Sequence, residues 1–189
     1  AHERRENRLK MWLKGISGAS VREKVRLGFI GGLNFEPNRK GMEWIITKLL
    51  PELKKAGFEG EISHVGRTDA AFEKMAAPFG AMIRFAGFVQ NLDQWWASLS
   101  FSMIPDLTGA GVRIKLLESV ASGIPVLVTE MGIERCAPAV QKSELVLASD
   151  DPKKWAQHIL QFQPFEYRKK FLPSEFNSGL DGREIYRCL

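Results

Sequence analysis

From Val25 onward, short apolar runs alternate with segments in which apolar residues recur at helical spacing. Short runs rich in Val, Ile and Phe are typical of strands, and Gly, Pro, Asn or Asp marks each junction. The last helix is predicted to begin with Asp151 as its N-cap and Pro152 at its first position. Strands are predicted at 25–30, 61–65, 82–85, 101–104, 125–129 and 144–148, and helices near 39–56, 69–77, 91–99, 112–122 and 152–162.

This alternation predicts an α/β fold, with a doubly wound, Rossmann-like parallel sheet of about six strands and helices on both faces. Ligands of such sheets bind beyond the carboxyl ends of the strands, where the strand order reverses. Here the reversal is expected between the first and fourth strands. The loops that follow these strands, at 31–41 and 105–113, are therefore predicted to form the binding site.

The fourth loop leads into the segment GAGVRIKLLE at 109–118. Gly109 and Gly111 let the backbone approach a ligand closely, and the helix that follows offers unpaired N–H groups and a positive dipole end. Arg113 and Lys115 add positive charge of the kind that a diphosphate would need. Glu118 lies too far along the helix to cap it and could accept hydrogen bonds from a pair of hydroxyls. A solvated Glu118 is the alternative.

The first loop has the sequence GGLNFEPNRKG at 31–41. Gly31 and Gly32 end the strand, and Asn38 and Lys40 place polar and positive groups before the next helix. Lys40 could reach the same phosphates as the fourth loop. The alternative, in which Lys40 and the adjacent Arg39 only face solvent, stays open on the residues alone.

Composition and charge narrow the class of protein. Hydrophobic residues make up 44% and charged residues 26% of the 189 residues, as in ordinary globular proteins. No apolar run approaches the ~20 residues of a membrane span, and two distant cysteines make no disulfide framework, so a reduced, cytoplasmic chain is expected.

The net charge of +5 arises within residues 1–26, which hold eight Lys or Arg against three acids. We interpret this segment as a solvated helix or the remnant of a neighbouring domain, with no nucleic-acid partner; contact with RNA or with an anionic membrane surface is the alternative.

Several enzyme classes are disfavoured by missing motifs. The first loop lacks G-x-G-x-x-G, which argues against a nicotinamide-dependent dehydrogenase, and the chain lacks the P-loop pattern G-x-x-x-x-G-K-[ST]. No D-x-D lies between a strand and a turn, and His2, His64 and His158 have no metal-ligand spacing, so neither a metal nor a cofactor is expected. Each histidine is interpreted as solvated or as satisfied by hydrogen bonds, and Trp95 and Trp96 as core residues.

Separated motifs occur together and in order: FIGGLNFEPNRKGMEWI, ISHVGR and IRFAGFVQNLDQWWASLSFSMIPDLTGAGVRIKLLESVASGIPVLVTEMGIE. Through them the stretch from Val25 to Phe162 resembles the donor-binding, C-terminal domain of glycosyltransferase family 4 (group 1), one half of a GT-B fold. The resemblance implies a basic connecting segment at 1–24, a domain that binds the nucleotide-sugar donor at 25–165, and a C-terminal crossover segment at 166–189.

The resemblance also implies roles for individual residues. Lys40 and Arg113 would be the catalytic groups that stabilise charge on the leaving diphosphate, and Glu118 would bind the ribose hydroxyls. Lys115 would contribute to donor binding through its charge. The other implied donor-binding residues, which would hold the diphosphate, base and sugar, are Gly31, Gly32, Asn38, Gly66, Arg67, Phe88, Val89, Gly109, Ala110, Gly111 and Val112.

Two positions depart from the family pattern. The family has a glutamate eight residues before the one at Glu118, where this chain has Ala110, and it commonly has an arginine near Gly32. A subgroup with PN in the first loop and a basic residue three positions before the second glutamate is more similar. This makes Lys115 a candidate substitute for the missing charge.

The function implied by the resemblance is a retaining glycosyltransferase of polysaccharide biosynthesis. It would use a UDP- or GDP-sugar and an acceptor hydroxyl on a glycan or a lipid-linked sugar, in the cytoplasm or peripheral at the inner face of the membrane. The acceptor site would belong to an N-terminal domain absent from this chain, so the chain alone is expected to be inactive. The alternative is a non-catalytic nucleotide-sugar-binding or assembly module. An epimerase of the same architecture would need acid/base carboxylates and a histidine that the cleft loops do not supply.

Overall fold

The computed structural model describes residues 24–109, 113–121 and 123–162. Six parallel strands in this part of the chain form one sheet in the order β3-β2-β1-β4-β5-β6, which confirms the doubly wound α/β fold. Each strand agrees with its predicted bounds to within about two residues. The strands are β1 Arg26–Ile30, β2 Glu61–Val65, β3 Ile83–Phe85, β4 Phe101–Ile104, β5 Val126–Val128 and β6 Val146–Ala148.

Helical segments connect the strands, and side-chain caps begin several of them. Asp69 Oδ1 accepts from the amides of Ala71 and Phe72, and Asp151 Oδ1 accepts from the amide of Lys153 at 2.8 Å, so the predicted cap at Asp151 is confirmed. The segments are α1 Glu36–Trp44, a π-helical segment Ile45–Leu49, α2 Leu50–Lys55, α3 Ala70–Ala76, a 3-10 segment Ala77–Met82, α4 Leu92–Ala97, α5 Arg113–Ala121, α6 Glu130–Ile133, α7 Pro138–Gln141 and α8 Pro152–Gln161.

The helix that follows β1 contains Pro51, whose ring would clash in a regular α-helix. The π-helical segment absorbs this misfit: the amide of Leu50 donates to the carbonyl of Ile45, a bond one residue longer than in an α-helix. The helix therefore continues through the proline and keeps α1 and α2 against the sheet.

Apolar side chains cover both faces of the sheet. On one face α1, α2 and α8 pack with β1 and β2, and Trp155 lies fully buried there with its Nε1 donating to the carbonyl of Ser149 at 2.8 Å. The tryptophans of α4 are also buried, as predicted, and Trp95 Nε1 donates to Ser63 Oγ at 2.8 Å. The buried side of α5 rests on β4 and β5 through Leu116, Leu117 and Val120.

The predicted connecting segment, apart from Lys24, and the predicted crossover segment at 166–189 lie outside the described residues. Within the ranges described, no helix has the length and apolar character needed to cross a membrane.

Candidate functional site

The carboxyl ends of β1 and β4 lie side by side, because Leu27 and Gly28 of β1 pair with Phe101 and Ser102 of β4. The strands β2 and β3 extend the sheet on one side and β5 and β6 on the other, so the strand order reverses here, as predicted. A small cleft opens at this point. It is lined by residues of both strands, both loops and the adjoining helices: Phe29, Pro37, Asn38, Met103, Ile104, Pro105, Asp106 and Lys115.

A chain of hydrogen bonds crosses the cleft from α5 to the first loop. Lys115 Nζ donates to Asn38 Oδ1 at 2.9 Å, and Asn38 Nδ2 donates to the carbonyl of Gly32 at 2.9 Å. Gly31 has a φ of +146°, which favours glycine, and a Cβ there would lie 2.8 Å from Lys115 Nζ and 2.5 Å from Asn38 Nδ2 and so would displace both groups. The structure therefore brings together four of the predicted site residues.

Lys115 is the positive group of this cleft. Its Nζ lies 5.6 Å from the centre of the Phe29 ring, and the residue is half-buried. Burial lowers the pKa of Lys115 to about 8, and the nearby negative charge of Asp106 opposes that decrease. Because water screens a shielded charge poorly, this ammonium attracts an anion more strongly than a surface lysine does.

The loops after β1, β2 and β3 pack against one another in a row. The amide of Gly31 donates to the carbonyl of Val65 at 2.9 Å, and the amide of Gly66 donates to the carbonyl of Gly87 at 2.8 Å. Gly66 has a φ of 136°, and a Cβ there would lie 2.7 Å from the carbonyl carbon and oxygen of Gly31. The predicted residue Gly66 thus contacts the first loop directly.

The fourth loop begins with a turn built on Asp106. Its Oδ1 accepts from the amide of Thr108 at 2.9 Å and from the amide of Gly109 at 3.0 Å, and its own carbonyl accepts from Thr129 Oγ1. These bonds hold Gly109, whose φ is +70°, in the turn that follows the cleft residue Asp106. The predictions for Ala110, Gly111 and Val112, and for the side chain of Arg113, lie outside the described part of the chain.

Of the predicted residues in the described ranges, Asn38 and Lys115 line the small cleft and the others do not. Lys40 Nζ lies 2.8 Å from Glu36 Oε1 on the exposed side of α1, and this pairing lowers the pKa of Glu36. Arg67 is exposed, with its carbonyl accepting from the amide of Leu33 at 2.8 Å. Phe88 is 82% exposed. Val89 and Glu118 are half-buried, and the roles of all five residues stay predictions.

Sequence reasoning missed two residues of this region, His64 and Asp106. His64 has no exposed surface, and its Nε2 lies 2.8 Å from the carbonyl oxygen of Gly31, directly beneath the first loop. The sequence feature that could have identified His64 is its position in β2 next to the end of β1, where His64 pairs in register with Phe29. For Asp106 the signal was an aspartate two residues before a threonine and three before a glycine at a strand end, a common turn pattern.

No group of three or more His, Cys, Asp or Glu side chains in the described ranges is arranged to hold a metal ion. The polar side-chain groups that line the cleft are the Lys115 ammonium and the Asn38 carboxamide, with the Asp106 carboxylate engaged in its turn. Such groups suit an anionic ligand with several oxygen acceptors.

Comparison with protein families gives one match over most of the chain. Residues 24–163 match the family described as Glycosyl transferases group 1. A comparison with curated protein sequences finds no match.

Solved structures of similar fold are glycosyltransferases. WaaG, involved in lipopolysaccharide biosynthesis, superposes with a TM-score of 0.55 at 18% identity over 96% of this chain and 45% of WaaG. Anabaena HepE, solved with UDP and glucose, gives 0.56 at 14% identity over 94% of this chain and 50% of HepE. The C-terminal domain of the group 1 glycosyl transferase LpcC from Francisella tularensis gives 0.50 at 18% identity over 97% of this chain and 87% of that domain. The chain thus has the fold of one half of a GT-B structure and spans about half the length of WaaG or HepE.

Proposed function

The chain belongs to the group 1 glycosyl transferases, since most of its length matches that family, and on this premise we propose that it binds a nucleoside-diphosphate sugar as the donor half of a transferase. The reaction would transfer the sugar to an acceptor hydroxyl with retention of anomeric configuration. The solved complex of HepE with UDP and glucose supports a nucleoside diphosphate as the class of ligand to test first.

The observation that carries this proposal is the Lys115–Asn38–Gly32 chain at the reversal of strand order. A diphosphate has more than one negative charge and many oxygen acceptors. Lys115 offers a poorly screened positive charge at its cleft, and the first loop offers the amide of Gly32, which has no backbone acceptor among the described residues. Charge and hydrogen-bond donors are therefore complementary to the diphosphate of a nucleotide sugar.

Further roles follow for the other predicted residues. Lys40 and Arg113 would add positive charge toward the outer phosphate, and Lys40 would exchange its Glu36 partner for the ligand. Glu118 would accept hydrogen bonds from the ribose hydroxyls, and the exposed ring of Phe88 with Val89 would contact the base. Gly66 and Arg67 would line the cleft beside the first loop. Gly109, Ala110, Gly111 and Val112 would bind the sugar.

The chemistry of these groups is electrostatic. When the bond between the anomeric carbon and the diphosphate oxygen breaks, negative charge develops on the leaving diphosphate. Cations and amides held in place before the reaction stabilise that charge without reorganising, and one such donor can contribute about 3 kcal/mol. No metal is required by this proposal.

The acceptor site would belong to a second domain. Large exposed apolar side chains follow the carboxyl ends of several strands, among them Phe35, Phe88, Leu107, Ile114 and Met131. They border the same edge of the sheet as the cleft, where a second domain carrying the acceptor glycan or lipid-linked sugar could pack. Alone, the chain is expected to bind donor and to transfer almost nothing.

A non-catalytic nucleotide-sugar-binding or assembly module is the second candidate. It is favoured by one sequence observation: Ala110 stands where the family has a carboxylate near the donor sugar. Both candidates require donor binding, and only the transferase turns donor over once an acceptor domain is supplied. Donor turnover by the reconstituted protein would remove the module from consideration.

The test is isothermal titration of UDP and GDP into the chain and two variants. Lys115→Met is expected to raise the dissociation constant by about tenfold or more, because it removes a charge-assisted contact. Lys48→Met is the matched control, since Lys48 is exposed in the π-helical segment and outside the cleft lining. Absence of binding by the unmodified chain would reject the proposal, and equal binding by Lys115→Met would reject this site.

A further inference from the structure

His64 is a buried histidine with a defined tautomer. Its Nε2 lies 2.8 Å from the carbonyl oxygen of Gly31, and since a carbonyl can only accept, Nε2 carries the proton. The ring lies between Phe29, tilted with centroids 5.7 Å apart, and Phe85, in an edge-to-face contact with centroids 5.5 Å apart. Its Nδ1 is buried and has no partner among the described residues. An apolar side chain would fill this core position more stably. The single hydrogen bond of the His64 side chain, to Gly31, therefore points to a role other than stability.

That bond fixes the orientation of a whole peptide unit. The carbonyl of Gly31 and the amide of Gly32 belong to the same peptide, and the described chain has no cis peptide bond. In a trans peptide the C=O and N–H vectors point in opposite directions. Because the Gly31 carbonyl points inward to the buried His64 ring, the Gly32 N–H points outward, toward the carboxyl edge of the sheet.

Two neighbours keep that amide oriented and uncovered. Asn38 Nδ2 holds the carbonyl of Gly32 at 2.9 Å, which fixes the next peptide as well. A Cβ on Gly66 would lie 3.0 Å from the nitrogen of Gly32, so glycine at this position leaves the amide accessible. Within the described ranges the Gly32 N–H has no acceptor of its own.

We propose that His64 is a positioning residue for donor binding: it holds the Gly31 carbonyl so that the Gly32 amide can donate to a phosphate oxygen of the donor. This inference rests on the proposed function. His64 does not touch the donor, and it acts through the Gly31–Gly32 peptide. The ligand chemistry is a diphosphate, whichever base or sugar it carries.

The protonation state of His64 suits this role. Burial lowers the pKa of His64, the bond to Gly31 opposes that decrease, and the positive charge of Lys115 adds to it. The ring therefore remains neutral at physiological pH. A neutral ring with its proton on Nε2 provides the required donor without adding a second buried charge beside Lys115.

The experiment compares a matched pair of variants with the unmodified chain. His64→Gln keeps an N–H donor at a position close to Nε2, and His64→Met has a similar volume without a donor. His158→Met is the control, because His158 is an exposed histidine of α8 outside the cleft lining. Pyrophosphate, UDP and GDP are titrated by calorimetry, and the amide resonance of Gly32 is followed by NMR in the same titrations.

The expected result is a dissociation constant for pyrophosphate and UDP about tenfold higher in His64→Met, with affinity restored in His64→Gln and unchanged in His158→Met. The Gly32 amide proton should shift strongly on binding in the unmodified chain. Equal affinity of His64→Met and the unmodified chain, or equal losses in both His64 variants, would overturn the role of His64 while leaving donor binding intact.

Two further outcomes are decisive. If His64→Met does not fold, the unmodified chain and His64→Gln decide. A Gly32 amide resonance that does not shift when pyrophosphate is added to the unmodified chain would overturn the inference. A shift of that resonance, with affinity retained by His64→Gln, would support it. If the unmodified chain binds none of the three probes, the proposed function fails together with the inference.

Discussion

The position of Lys115 is unfavourable for the stability of the fold but favourable for binding an anion. Its ammonium is partly removed from water, which lowers its pKa to about 8, and its main hydrogen bond is to a neutral amide at Asn38. A neutral partner compensates only part of the lost hydration of a charge. The position is therefore unfavourable in the free chain and becomes favourable when an anion neutralises the charge.

The pH dependence of donor affinity should reveal this lysine. Since Lys115 is charged below about pH 8, UDP should bind well at pH 7 and progressively more weakly as the pH rises above 8, by up to about tenfold per pH unit. Calorimetry between pH 7 and 9.5 measures the slope. Lys115→Arg should flatten it, because a guanidinium stays protonated throughout this range. An unmodified chain whose affinity does not change with pH would contradict the assignment.

At the scale of secondary-structure elements, contacts between loops hold the candidate site together. The loops after β1 and β2 meet where Gly66 faces the Gly31 carbonyl, and the first loop meets α5 through Asn38 and Lys115. Three elements far apart in sequence thus fix one cleft. A side chain added at Gly66 should disturb both the fold and the site.

Gly66→Ala tests this packing, with Gly57→Ala as its matched control. Both glycines have positive φ, but a Cβ at Gly57 meets nothing within 4 Å, whereas one at Gly66 meets Gly31 backbone at 2.7 Å. Gly57→Ala should therefore cost about 1 kcal/mol in unfolding free energy, and Gly66→Ala about 2–4 kcal/mol with a clear loss of UDP affinity. Urea unfolding and calorimetry measure the two effects. Equal costs at the two positions would argue against the contact.

The elements themselves could be predicted from the sequence because local patterns specify them. The strands are short apolar runs between turn residues, and the cap at Asp151 has a local signature that the structure confirms. The helices α6 and α7 could not be predicted, since four residues each give no helical period. The π-helical segment depends on how the helix accommodates Pro51, which no periodicity encodes.

The loops that form the candidate site could be predicted from the sequence, but the side-chain contacts between them could not. Parallel-sheet topology brings the loops after β1 and β4 together, and the structure confirms this. The bond between Asn38 and Lys115 joins residues 77 positions apart, and the bond from His64 to Gly31 depends on strand register. Such contacts follow from tertiary packing, so the residue types alone left several roles open for each side chain.

At the scale of the whole molecule, the carboxyl edge of the sheet and its two faces have different roles. The carboxyl edge carries the cleft, the positive-φ glycines Gly31, Gly66 and Gly109, and exposed apolar side chains that a second domain could cover. The helices on both faces bury the large aromatic residues and supply most of the apolar burial. Stability is thus concentrated in the faces, which leaves the edge free to hold a costly charge and an open amide.

The stability of the molecule in mild acid should depend on the buried His64 and, to a smaller extent, on the more exposed His158. Burial lowers the pKa of both His64 and His158. As the pH falls below about 6.5, histidines of the unfolded chain take up protons before those of the folded chain, so the free energy of unfolding decreases. Between pH 7.5 and 5 we expect a lower urea midpoint, with His64 contributing more to the decrease than the more exposed His158.

The pairing of Glu36 with Lys40 does not interfere in that range, because a carboxylate whose pKa is lowered loses its contribution only below about pH 4.5. Replacing each histidine by glutamine should remove its share of the decrease, and the double variant should unfold at nearly the same urea concentration at both pH values. A midpoint for the unmodified chain that stays constant down to pH 5 would mean that His64 is not shielded from water, and the peptide orientation built on it would lose its support.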